Sequence, residues 1–166
     1  MSGGVLIAGV GNILLGDDGF GVEVVRRLGE GPALPDGARV ADFGIRGLHL
    51  AYQLLDGYDA LILVDALVRG EPPGTLCVLE PDDADIAPAA DAHRMDPVAV
   101  LSMVKLLGGH VGRTLVVGCE PLDLDEGIGL SPPVALAVEQ AVGLVRRLAA
   151  SEVQRTHNEA EETTSC

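Results

Sequence analysis

Val5-Leu6-Ile7-Ala8-Gly9-Val10-Gly11-Asn12-Ile13-Leu14-Leu15-Gly16-Asp17-Asp18-Gly19-Phe20-Gly21 is an apolar run that breaks into a glycine-flanked acidic loop and then opens a helical pattern. An almost wholly apolar strand, with no polar residue on alternate positions, is buried on both faces, as the strands of helix-covered parallel sheets are. Ala60-Leu61-Ile62-Leu63-Val64 has the same character. Further strand candidates lie at residues 38–43, 75–79 and 114–117, and helical patterns at 21–28, 48–55, 97–107 and 132–149. Asp96 is placed to cap the third helix, with Pro97 at its first position and Gly108-Gly109 as its stop; Ser131 is placed to cap the last, followed by Pro132. Strands alternating with helices predict an α/β fold, a three-layer α/β/α sandwich.

One connection breaks the alternation. Ten residues, including Pro72-Pro73-Gly74, separate Val64 from Thr75. A parallel crossover needs about a dozen or more. The strand at 75–79 is therefore expected to run antiparallel to its neighbours, at an edge. The five-stranded sheet is then mostly parallel with one antiparallel strand.

The chain has 166 residues, enough for one domain, expected over 1–150. Residues 151–166 carry Glu152, Glu159, Glu161 and Glu162 with little that is apolar, and read as a disordered acidic tail. Aromatics are 2% against 48% hydrophobic residues, so the core is aliphatic. With 11 basic and 25 acidic residues the net charge is −14, which repels nucleic acid and anionic membrane surfaces. Cys77, Cys119 and Cys166 form no CxxC pair; the first two sit in apolar runs and read as core residues. The opening residues lack the features of a signal peptide, and no apolar run approaches the roughly eighteen residues of a membrane span. A cytoplasmic location is expected.

The glycine loop after the first strand has two readings. A dinucleotide fingerprint fails on detail, because Leu14 stands where the third glycine belongs and Asp17-Asp18 would repel a pyrophosphate. The other reading is an acidic loop at the carboxyl edge of the sheet, either capping the following helix or ligating a cation. Asp65 ends the buried run 60–64, where a carboxylate must be paired, hydrogen-bonded or on metal. His93 lies three residues before Asp96, at the start of a helix whose beginning belongs to that same edge. Two oxygens and an imidazole suit a first-row divalent ion with open positions.

These residues resemble a known family, the hydrogenase maturation proteases. The opening motif from Gly9 to Gly21, Asp42-Phe43-Gly44-Ile45-Arg46-Gly47, Leu63-Val64-Asp65-Ala66, Glu120-Pro121 and Gly127-Ile128-Gly129-Leu130-Ser131-Pro132 match its segments in register over residues 5–148. The resemblance implies an endopeptidase that removes a C-terminal peptide from the large-subunit precursor of a nickel–iron hydrogenase after nickel insertion. It implies a five-stranded mixed sheet. It implies metal recognition through Asp18, Asp65 and His93, with the nickel supplied by the substrate and no organic cofactor. This chain departs from the family where some members carry Glu in place of Asp18, where Phe43 and Ile45 replace a Gly and a Thr, and in Arg94-Met95-Asp96-Pro97 after the histidine. Asp42, ending the second strand, is expected to contact substrate. No GxSxG, HExxH or Cys–His pair is present. Two rivals stand beside this reading: a nucleotide-binding Rossmann-like enzyme, and a non-catalytic nickel-binding assembly factor.

Overall fold

A computed structural model describes residues 3–81 and 97–165. Its strands are β1 (Val5–Val10), β2 (Ala38–Gly44), β3 (Ala60–Ala66), β4 (Leu76–Leu79) and β5 (Arg113–Cys119). Its helices are α1 (Phe20–Glu30), α2 (Gly47–Leu54), α3 (Pro97–Leu106) and α4 (Pro132–Thr164), and a 3-10 turn at Gly16–Gly19 leads into α1. The sheet order is β2-β1-β3-β5-β4. Strands β2, β1, β3 and β5 pair in parallel, whereas β4 pairs antiparallel to β5 at the edge, as the short 65–74 connection requires.

Strand alternation sorts the core into two layers. Val5, Ile7, Ile62, Val64, Leu115 and Val117 pack under α1 and α4. Leu6, Ala8, Leu61, Leu63 and Val116 pack under α2 and α3. β1 and residues 60–64 of β3 are buried on both faces and are apolar throughout; Asp65 follows that run. Burial of a Val, Leu or Ile side chain contributes about 1.5–3 kcal/mol, and this aliphatic sandwich supplies most of the drive to fold.

Helix α4 corrects one expectation. Residues 151–164, read as a disordered tail, continue the helix. Composition misled because the charges are spaced for a helix. Arg155 bonds Glu152 three residues back at 2.8 Å and Glu159 four residues on at 2.8 Å. Glu152 is buried and also accepts from Arg113 on β5 at 2.7 Å, which pins the extension to the sheet. Asp96, the expected cap of α3, lies outside the described residues. Among the described residues, no helix is long and apolar enough to cross a membrane.

Candidate active site at the carboxyl edge of the sheet

Helix α1 begins almost in contact with the strands below it. A Cβ on Gly21 would stand 2.1 Å from the Val64 carbonyl oxygen and 2.6 Å from that of Val10. A Cβ on Gly11 would fall 1.9 Å from the Asp18 carbonyl oxygen. The glycines of the opening motif are therefore there for close approach of backbone to backbone. This packing brings the 3-10 turn, with Asp18, against β3, whose penultimate residue is Asp65. Strands β1 and β3 are hydrogen-bonded neighbours, so both carboxylates occupy one edge of the sheet.

The two adjacent aspartates do different work. Asp18 is part-buried, and its Oδ2 accepts from the Asn12 N–H at 2.7 Å. Among the described residues its other oxygen makes no hydrogen bond. Asp17 is fully buried. Its Oδ2 accepts from the N–H groups of Leu122 (2.8 Å) and Asp123 (2.9 Å) and from the Ser131 hydroxyl (2.8 Å), while Oδ1 accepts from the Ser131 N–H (2.7 Å). Burial pushes this carboxyl up, but the donors from Asp123, Ser131 and Leu122 outweigh it and hold it below the usual carboxylate range. Capping of the following helix is one of the two roles open to this acidic loop in the sequence. Neither aspartate caps α1, whose N-cap Gly19 has no side-chain cap bond. Ser131 does stand at the N-cap of α4, yet its hydroxyl serves Asp17 instead of the helix.

The same loop bears on the nucleotide reading. Phosphate cradles need free backbone N–H groups. Here the N–H of Gly11 goes to Gly44 O, Asn12 to Asp18, Leu14 to Asn12 Oδ1, Leu15 to Asn12 O, Gly16 to Gly127 O and Asp17 to Asp123 O. Six of the loop's N–H donors are taken up by protein acceptors, which argues against a Rossmann-type phosphate site.

Asp65 is buried, and its Oδ1 accepts from the N–H of Ala66 at 2.8 Å. Alternation puts it on the α2 and α3 side of β3, in register with Leu61 and Leu63. Helix α3 runs back toward the start of β5, so its first residue, Pro97, lies toward the carboxyl edge. His93 precedes Pro97 by four positions and lies outside the described residues. Among the described residues no three His, Cys, Asp or Glu side chains group to hold an ion. Asp42 is exposed at the end of β2, its Oδ1 accepting from Gly44 N–H at 2.8 Å, and Gly44 ties back to Gly11.

Two roles escaped sequence reasoning. One is the Asp17 anchor. The other is Glu120, buried at the end of β5, whose carboxylate accepts from Arg69 N–H (2.7 Å) and Gly70 N–H (3.2 Å) and so holds the β3–β4 connection. A signal existed for it, since a carboxylate ending a buried strand demands partners just as Asp65 does. Cys119 is buried, and burial first, then the nearby Asp17 charge, pushes its thiol up to about 12. It is a core residue, with no thiolate at neutral pH.

Comparison with known proteins gives a consistent picture. The hydrogenase maturation protease family model matches residues 22–148. The hydrogenase expression/formation protein HupD of Rhodobacter capsulatus is 36% identical over 157 residues, covering 92% of this chain and 74% of the relative. The hydrogenase 2 maturation protease of Escherichia coli K12 is 33% identical over 141 residues, covering 83% and 85%. Among solved structures, the hydrogenase maturating endopeptidase HybD from E. coli superimposes with a TM-score of 0.72 at 32% identity, covering 86% of this chain and 89% of that one.

Proposed function

Because the chain belongs to the hydrogenase maturation protease family, and is a peptide-bond hydrolase of that kind, we propose that it removes a C-terminal peptide from the nickel-loaded large-subunit precursor of a nickel–iron hydrogenase. The observation that carries the proposal is the packing of the 3-10 turn that bears Asp18 against β3, which bears Asp65 at its carboxyl end. His93 completes the set in this reading. The nickel arrives with the substrate, and the cytoplasm is the compartment proposed for the reaction.

The chemistry of the donors fits that task. Two carboxylates and an imidazole form a small, open set that binds a borderline divalent ion without enclosing it. Such a set holds free metal weakly and gains affinity when the precursor brings further ligands. Docking on the nickel then places the scissile segment against the carboxyl edge, and positioning lowers the barrier by prepaid orientation. Asp42, one strand over, contacts the peptide in this scheme. A non-catalytic assembly factor would bind the same precursor and leave its length unchanged.

The test is mass spectrometry of precursor incubated with the protein. Nickel-loaded precursor should be shortened by wild type and left intact by His93→Ala, whose thermal melt should match wild type. Nickel-free precursor should stay intact with both. Efficient cleavage of nickel-free precursor, or an active His93→Ala protein, overturns metal-directed recognition.

A further inference from the structure

We propose that residues 12–17 and 122–128 form one rigid docking platform beside Asp18, and that it binds an apolar segment of the precursor flanked by basic residues. The proposal rests on the protease reading above and deepens it. Backbone bonds zip the two loops together: Gly127 N–H to Leu14 O (2.9 Å), Gly16 N–H to Gly127 O (2.9 Å) and Asp17 N–H to Asp123 O (2.8 Å). Leu15 and Gly127 pair as an isolated parallel bridge. The Asp17 carboxylate locks the second loop at both ends, at Leu122 and Asp123 and again at Ser131.

On this pinned frame stand five large apolar side chains turned to solvent: Ile13, Leu14, Leu122, Leu124 and Ile128, the last of them 84% exposed. On a loose loop they would collapse inward. Held open on a hydrogen-bonded frame, they form a preorganised surface that gains free energy only when a partner covers it.

Charge selects the partner. Asp123, Asp125 and Glu126 are exposed between the apolar residues. No Lys, Arg or His occurs from residue 5 to 25 or from 114 to 145. An apolar surface on two loops that carry acidic and no basic residues favours a segment with basic residues and repels a second copy of this chain, whose net charge is also −14.

The experiment measures precursor binding and cleavage separately, on wild type and two double variants, Leu124→Ser with Ile128→Ser and Asp125→Lys with Glu126→Lys. All four positions are exposed, so melting should not change. The Ser pair should raise Kd and KM about tenfold with kcat unchanged, since a few exposed anchors carry most interface energy. The Lys pair should weaken binding and flatten its salt dependence. Wild-type cleavage with unaltered KM and Kd in both variants sinks the platform and leaves the protease reading standing. Binding without cleavage by wild type, lost in the variants, sinks the protease reading and keeps the platform. A wild type that neither binds nor cleaves overturns both, and so, for the platform, does a dimer that the Ser pair abolishes.

Discussion

Replacing Asp17 by Asn should cost about 3 kcal/mol of stability, although the two side chains are nearly the same shape. The carboxylate is fully buried and takes four hydrogen bonds, three on Oδ2 and one on Oδ1. An amide has one acceptor oxygen, so its NH2 must face donors whichever way it is turned. The less costly orientation puts NH2 at the Oδ1 position, where it confronts the Ser131 N–H and leaves that buried donor unmatched, at about 1–3 kcal/mol. The three remaining bonds lose their charge assistance and fall to about half strength, which adds about 1–2 kcal/mol. Relief from burying a charge offsets part of this. Urea denaturation of both proteins at neutral pH, with comparable m-values, reads the difference directly. Acid titration adds a sign. The Asp17 carboxyl lies below its ordinary value of 3.8 in the fold. Its stabilisation is therefore fully present above that value and is lost as pH falls from there through the folded pKa. The gap between wild type and Asp17→Asn should narrow in that acid window. A loss under about 1 kcal/mol at neutral pH, or a gap that widens on acidification, would refute the anchor.

Two glycines of one helix should respond oppositely to Ala. Gly21→Ala puts a Cβ 2.1 Å from the Val64 carbonyl oxygen and should cost about 3 kcal/mol or more by thermal or chemical denaturation. Gly29→Ala meets nothing within 4 Å and should stabilise by about 0.5–1 kcal/mol. Glu152→Ala removes the buried partner of Arg113 and Arg155; because both arginines are part-exposed and can rehydrate, about 2 kcal/mol is expected, checked by urea denaturation and by faster proteolysis after Arg155. Asp42→Asn keeps the Oδ1 acceptor for Gly44 N–H, so melting should be unchanged while KM for the precursor rises; nickel affinity by calorimetry should stay near wild type, and its collapse would make Asp42 a ligand.

Sequence alone determined the layers, the two-sided burial of β1 and β3 and the antiparallel edge, because burial pattern and loop length are local properties of the chain. It also placed Asp18 and Asp65 on one edge, since strand direction in a parallel sheet settles which ends meet. The boundaries moved outward: β3 extends through Asp65 to Ala66, and β5 runs from Arg113 to Cys119, polar or small residues entering the ladder because their neighbours pair there. Tertiary structure alone decided which of two adjacent aspartates is the anchor. The donors that bury Asp17 lie 105 to 114 positions away, beyond any spacing that periodicity can register. It decided likewise that Ser131 serves Asp17, and that Glu152 is a buried partner of Arg113, 39 residues apart, where composition read a solvated tail. A carboxylate tolerates burial only where donors converge, and convergence from distant segments is a property of the folded chain.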